Sequence, residues 1–394
     1  MRTGPLGGYL PGLVWYGLQF GPLLLLGGAQ AVGWVRSREQ HSLSPKAMWV
    51  VLAGVALVAL AALSSLWAAD HAQTLRQAGL LALVMLFALT TYAFRWTTPG
   101  VLVVDVKVIF WTCVGIQALG VGGYFAGQAW SVGDYGRFVG VTPNANYAGI
   151  SAAILVALSF VVTGTGARVA SIVPLVALVL SDSRGSMVAL ILGIVVVLAT
   201  VPDFRRNAVN RTWSIATIGA LPLLFWLRSM NVFTALRSRA SAGGMPGGGA
   251  GGGGPATVQP DITSGRMDIY QGYFARWLEN PILGTGYRSP QYWAGGGLLE
   301  AHNVYLSVLV ELGLVGAVFF IALGVGMLRS AARHTVLIAA ATTALAVEVT
   351  ESSLFGLGGP TALMSWLVLF AWAATGLTSE ADAGSAASQG RVHE

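Results

Sequence analysis

Apolar stretches of about 20 residues recur along this chain from Pro11 to Leu377, and about 20 helical residues cross a hydrocarbon core roughly 30 Å thick. No other feature narrows the fold so far. Within lipid every peptide group must find its partner inside the protein, so the chain is expected to fold as an all-α polytopic membrane bundle. The composition agrees: 55% of residues are hydrophobic and 10% charged, with a mean hydropathy of +0.69, whereas soluble domains carry about 25% charge. Spans are predicted at 47–67, 78–94, 102–125, 145–163, 168–181, 185–201, 213–228, 302–327, 335–355 and 361–378. The stretch 8–34 is long for one crossing and short for two, and Pro11, Gly21 and Pro22 can break it into a tight helical pair. The total is eleven or twelve.

Positive charge orients such a bundle. Arg36, Arg38 and Lys46 share one loop, Arg205, Arg206 and Arg211 a second, and Arg329 and Arg333 a third. Even numbers of spans separate these loops, so all three can be cytoplasmic, together with a tail at 379–394 that holds Glu380, Asp382 and Arg391. An N-terminus on the same side favours twelve spans within a bundle over 1–378. The opposite face receives 68–77, 127–144, 181–184, the large loop 229–301 and the turn 356–360. Within the large loop, Gly243–Pro255 is a flexible insert without core-forming residues. An amphipathic helix is predicted over 264–280, with Ser264 as N-cap, a stripe of Tyr270, Phe274 and Trp277, and Pro281 after its stop. A pI near 9.7 would point a soluble protein toward nucleic acid. Here the arginines are loop charges that orient helices, and no nucleic-acid partner is expected. The single cysteine, Cys113, lies in an apolar run, excludes an intramolecular disulfide and reads as inert packing. The first apolar run is too long for a signal-peptide core, so no cleavable leader is expected.

Arg184, Arg266 and His302 fall on the face opposite the basic loops, each where a helix should begin. A helix N-terminus offers free N–H groups and the positive end of the dipole, which suits a phosphate and disfavours a cation that no anion offsets. Arg184, in the short turn SDSRGS (Ser181–Ser186), is therefore read as phosphate-binding; the simpler account is an arginine snorkelling to the lipid surface. Arg266 opens the amphipathic helix, where Asp268 can pair with it. His302 heads a span beside Asn303 and Tyr305, and an imidazole suits proton acceptance near neutral pH. Arg137 and Arg288 stand on the same face as further substrate contacts, and Asn144 and Asn146 are helix caps first and ligand contacts second. Glu351, near the end of its span, can orient Arg184, Arg266 or His302. Like Asp105, Lys107, Glu311 and Glu348, it is costly in lipid and should face the bundle interior or an interface. No metal-binding or nucleotide-binding motif is present, so the chemistry is expected to use fixed positive charge and one base, with no metal or cofactor.

Together these motifs resemble the bacterial O-antigen ligase/polymerase superfamily. The resemblance rests on Arg184 in its turn, then Gly265-Arg266, Trp277, Pro281 and Gly284-x-Gly286, then His302-Asn303-x-x-Leu306 and Glu311-Leu-Gly313. RFVGVTPNAN (Arg137–Asn146) is similar to the family's Arg-x-x-Gly…Asn-x-Asn element. The resemblance implies about twelve helices of the type-C glycosyltransferase kind in the bacterial inner membrane, with a site facing the periplasm. It implies an inverting, metal-independent transfer of O-antigen glycan from undecaprenyl diphosphate to a sugar hydroxyl of lipid A–core. Arg184 and Arg266 would hold the diphosphate and His302 would act as base; donor, acceptor and membrane lipids are the implied partners. The Gly243–Pro255 insert departs from the family pattern. An O-antigen polymerase or a protein O-oligosaccharyltransferase would share the donor end. A multi-span transporter is a further alternative, although no internal repeat is evident and the special residues lie at one surface.

Overall fold

The computed structural model describes residues 44–96, 100–133, 136–142, 144–162, 164–229, 266–289, 301–332, 335–355 and 360–390, with the backbone alone at 94–95, 227–229, 266–268, 360 and 378–390. The 8–34 stretch, Arg36, Arg38, the Gly243–Pro255 insert, Ser264, Arg333 and Arg391 lie outside the described residues. All described regular structure is helical apart from one isolated antiparallel bridge between Val132 and Phe138. Four helical segments, Pro45–Leu66, His71–Ala93, Val101–Phe125 and Val304–Ser330, are long and apolar enough to cross a membrane. The described residues are those of an all-α membrane protein.

Polar caps start the first two described helices where their apolar runs begin. Helix α1 (Pro45–Leu63) has Ser44 accepting from the Ala47 N–H at 3.2 Å, and Pro45 sits in the first turn, where its missing N–H is not needed. Helix α2 (His71–Thr90) is capped by Asp70, which accepts from the Gln73 N–H at 2.9 Å. Then follow α3 (Val101–Phe125), α4 (Ala145–Leu158), α5 (Thr165–Ala170), α6 (Ile172–Ser181), α7 (Arg184–Thr200), α8 (Pro202–Arg206), α9 (Ala208–Ser229), α10 (Arg266–Glu279), α11 (Val304–Ser330), α12 (Leu337–Val347) and α13 (Pro360–Gly390). Helix α4 is the centre of the bundle: every residue except Asn146 and Ser151 is buried, and α6, α7, α12 and α13 pack around it. Small residues bring α7 and α12 close, since a Cβ at Gly193 would meet Thr343 and the Ala339 carbonyl.

A single uninterrupted span was expected over 302–327, but α11 breaks at Gly313 (φ 66°, ψ −165°). Tyr305 and Phe320 would be separated by about 22 Å along a straight helix, yet their ring centroids are 6.1 Å apart. The first arm, 304–312, therefore folds back over the second, 314–330. A strap formed by 281–289 fills the break with backbone hydrogen bonds. The Thr285 and Gly286 N–H groups donate to the Val310 and Glu311 carbonyls at 3.0 and 2.9 Å, while Leu314 and Val315 donate to Pro281 and Ile282 at 2.9 and 3.2 Å. The peptide groups freed by the break are thus satisfied within the protein, as lipid demands. Gly284 and Gly313 both have left-handed φ, and a Cβ on Gly284 would stand 2.6 Å from the Glu311 carbonyl. Tyr287 ties the strap to the end of α1 and the first turn of α2, its N–H donating to Ser64 Oγ (2.8 Å) and its carbonyl accepting from Thr74 Oγ1 (2.9 Å).

Helix α10 lies along the first arm. Tyr273 packs with Ala301 and Val310, flanked by Ile269, Trp277 and Leu306. The inward line is thus 269–273–277, not the predicted stripe through Phe274, which is 49% exposed. The i, i+4 line that meets α11 decides the facing side.

Candidate functional site

The start of α4, the α6–α7 turn, the end of α12 and the start of α11 converge at one end of the bundle. Helix α6 stops at Asp182, which adopts the left-handed conformation (φ 55°) and leaves carbonyls at the negative end of the helix. Arg137 takes that position. Its Nε donates to Ser181 O at 2.8 Å, and its Nη2 donates to Asp182 O at 3.2 Å and to Asn146 Oδ1 at 2.7 Å. Asn146 Nδ2 in turn donates to Glu351 Oε1 at 2.6 Å, and Glu351 Oε2 meets His302 Nδ1 at 2.9 Å. A continuous chain therefore runs Arg137–Asn146–Glu351–His302. Glu351 is only 3% exposed, and a buried carboxylate needs donors on its oxygens. An ionised carboxylate can only accept, so the proton of a neutral His302 sits on Nδ1 and Nε2 keeps its lone pair.

His302 is held in a left-handed conformation (φ 48°) that a non-glycine residue seldom adopts. Its neighbours determine it. The Asn303 N–H donates to Ser352 Oγ (3.0 Å), the Val304 N–H to Glu348 O (2.9 Å), and Tyr270 Oη to His302 O (3.4 Å). The turn that carries Glu351 is fixed by Glu348, whose buried carboxylate accepts from the Ser353 hydroxyl and from the Leu354 N–H at 3.1 Å.

The remaining sequence candidates divide. Asn144 is the cap of α4, accepting from the Tyr147 N–H at 2.9 Å, which leaves Asn146 free to bridge. Asn303 caps α11 through Leu306 (3.0 Å) and donates from Nδ2 to Val349 O (3.1 Å). Arg184 is the first residue of α7 and is exposed, with its guanidinium 5.7 Å over the Phe225 ring; Gly185 beside it lies against Thr350, next to Glu351. Arg266 is the first residue of α10, and its side chain lies outside the described residues. Arg288 is buried in the strap (φ 58°), where its N–H donates to Glu311 Oε2 at 2.9 Å. Tyr305 packs against Phe320 and donates to Leu345 O at 3.4 Å, away from the chain of bonds. Two contributors escape the sequence reading. Ser352 has adjacency to Glu351 as its one signal, and Phe225 has none.

The arrangement can hold an imidazole base in one tautomer, at the end of the bundle where α7 begins with an exposed arginine. Among the described residues no group of three or more His, Cys, Asp or Glu is placed to bind a metal. Residues 169–321 match a protein-family model described as O-antigen ligase. No curated protein matches the chain. The matched segment contains Arg184, Arg266, His302, the strap and the α11 break, whereas Arg137, Asn146 and Glu351 lie outside it.

Proposed function

We propose that this chain, whose residues 169–321 match the O-antigen ligase model, belongs to the O-antigen ligase superfamily and is a ligase that moves a glycan from undecaprenyl diphosphate to a sugar hydroxyl of lipid A–core at the periplasmic face of the inner membrane. The observation that carries this reading is the bond from Glu351 to His302 Nδ1, because it leaves Nε2 as a proton acceptor. In the proposed reaction Nε2 takes the proton of the acceptor hydroxyl as that oxygen bonds to the anomeric carbon. The bond from that carbon to the diphosphate breaks on the opposite face, and its electron pair leaves with the lipid diphosphate. The anomeric configuration inverts. Arg184 and Arg266 stabilise the charge gathering on the leaving group, for which a permanently charged, forked donor is suited. The Phe225 ring, 5.7 Å from the guanidinium carbon, is placed for a cation–π contact that leaves the Arg184 N–H groups to phosphate oxygens. Glu351, held by Asn146 and Arg137, offsets the imidazolium formed.

The test is transfer from a diphosphate-linked donor to lipid A–core by Arg184→Ala, Arg266→Ala and His302→Ala. Loss of an arginine should lower the rate by about 10²–10³, and loss of the base by about 10²–10⁴. Near-normal transfer by all three removes the mechanism. A strain lacking the protein should accumulate lipid-linked polymer beside unmodified core. Single repeat units on core would instead make it a polymerase, and loss of glycan from protein Ser or Thr an oligosaccharyltransferase.

A further inference from the structure

A cleft beside the site is used by nothing described so far. It lies between α3, α4 and α13 under the 138–142 loop, with Cys113, Ile116, Gly120, Leu155 and Met364 among its walls and about 490 Å³ of unfilled space, counting the part open to the surroundings. One polar side chain in it is incompletely satisfied. Gln117 is 8% exposed; its Nε2 donates to Ser151 Oγ at 3.0 Å, but its Oε1 has no partner among the described residues. Turning the amide around would not help. Ser151 already donates its hydroxyl hydrogen to Ala148 O at 3.0 Å, so Ser151 can only accept from Gln117. A buried carbonyl oxygen left bare is unfavourable, and a small rotation of the Gln117 side chain, whose Oε1 exposes less than 1 Å² as it stands, turns it toward a donor in the cleft. Gln117 sits eight residues before the end of α3, about 12 Å along the helix. Ser151 lies five residues below Asn146 on α4. The cleft thus leads from the Arg137–Asn146 pair toward the bilayer interior.

We infer that this cleft receives the lipid tail of the acceptor, an acyl chain bearing a hydroxyl or amide N–H near its head group, with Gln117 Oε1 accepting from that donor. The inference rests on the ligase reading for the identity of the acceptor. A polyprenyl chain and an ordinary phospholipid tail are pure hydrocarbon at this depth and offer the oxygen nothing, which is why the occupant is a functionalised acyl chain.

The full-length protein in phosphatidylcholine nanodiscs would be photolabelled with three diazirine probes: a 3-hydroxyacyl glucosamine lipid, its analogue with neither hydroxyl nor amide hydrogen, and a polyprenyl phosphate. The hydroxylated probe should label residues within 113–120, 138–142 or 361–364. Gln117→Leu should reduce that labelling about tenfold and leave labelling by the analogue unchanged, which also reports an intact fold. Met364→Trp, which fills the cleft without touching Gln117, should remove the hydroxylated label. Equal wild-type labelling by the analogue or by the polyprenyl probe overturns the inference, as does Gln117→Leu or Met364→Trp without effect. Labelling does not require turnover. A labelled cleft in a protein that transfers no glycan keeps this inference and ends the ligase reading, whereas an active ligase with an unlabelled cleft does the reverse.

Discussion

Glu351 has two carboxylate oxygens, and each accepts from a different element: Asn146 at the head of α4 and His302 at the head of α11. Glu351→Gln keeps the shape but turns one acceptor into a donor, so either Asn146 or His302 must face another N–H. Transfer by this variant should fall about 10²-fold in kcat, with KM for the lipid-linked donor nearly unchanged and normal amounts of protein in the membrane. An unaltered kcat would remove Glu351 from the positioning of the base. At this scale the sequence is partly legible. Arg137, Asn146, Glu351 and His302 each stand out as polar residues in an apolar chain, but nothing local tells that they touch, because Asn146 and Glu351 are separated by 205 positions. Asn144 and Asn146 have equal local claims to cap α4, and the distant carboxylate decides between them. Tyr305 and Asn303 stand beside His302 in sequence, yet a helix turns neighbours away from one another, and neither joins the bridge.

Helix α11 shows what hydropathy can and cannot see. Both arms are apolar, and glycine is common within membrane helices, so a window average passes over Gly313 without a signal. The visible trace is the pairing of Glu311-Leu-Gly313 with Gly284-x-Gly286, whose meaning appears once the two backbones are seen to lie against each other. Gly313→Ala should destabilise the protein by about 1–3 kcal/mol or more, since it adds a Cβ at left-handed φ against the strap backbone. Gly324→Ala, on the second arm with open space around it, should be neutral or stabilising by up to about 1 kcal/mol. Thermal unfolding in detergent separates the two, and equal melting temperatures would contradict the account of the break. The α10 stripe has a related lesson. An amphipathic helix with aromatic residues on more than one line offers several apolar faces, and its partner selects one of them.

At the scale of the whole molecule, the helices that present the site are short. Helix α4 has 14 residues and α12 has 11, about 21 and 16 Å, against a hydrocarbon core of roughly 30 Å. The segments Pro45–Leu66 and His71–Ala93 have 22 and 23 residues and span it with ease. Helices this short predict that Asn146 and Glu351 lie at the floor of a recess and not on a rim. With Cys113 replaced by Ala, single cysteines at positions 184 and 302 should react with a membrane-impermeant maleimide from one side only, and position 302 more slowly than exposed position 279. Reaction from both sides would favour the transporter alternative. The helical membrane class follows from apolar length, and arginine placement gives the expected sidedness of the loops. The recess does not, because it depends on where each helix stops, and in α4 and α12 that is set by caps and tertiary turns within apolar runs.

The knot that 281–289 ties around α11, with its second mooring on Ser64 and Thr74, fixes the head of α11 independently of the segment between α9 and α10. Chain length between α9 and α10 is then free to drift in evolution or by design. Thirty-odd Gly/Ser residues spliced in at Gly248 would roughly double that segment at a closure cost of about 0.6 kcal/mol, and glycan transfer should stay within about threefold of the parent. Two residues spliced between Thr285 and Gly286 should abolish it.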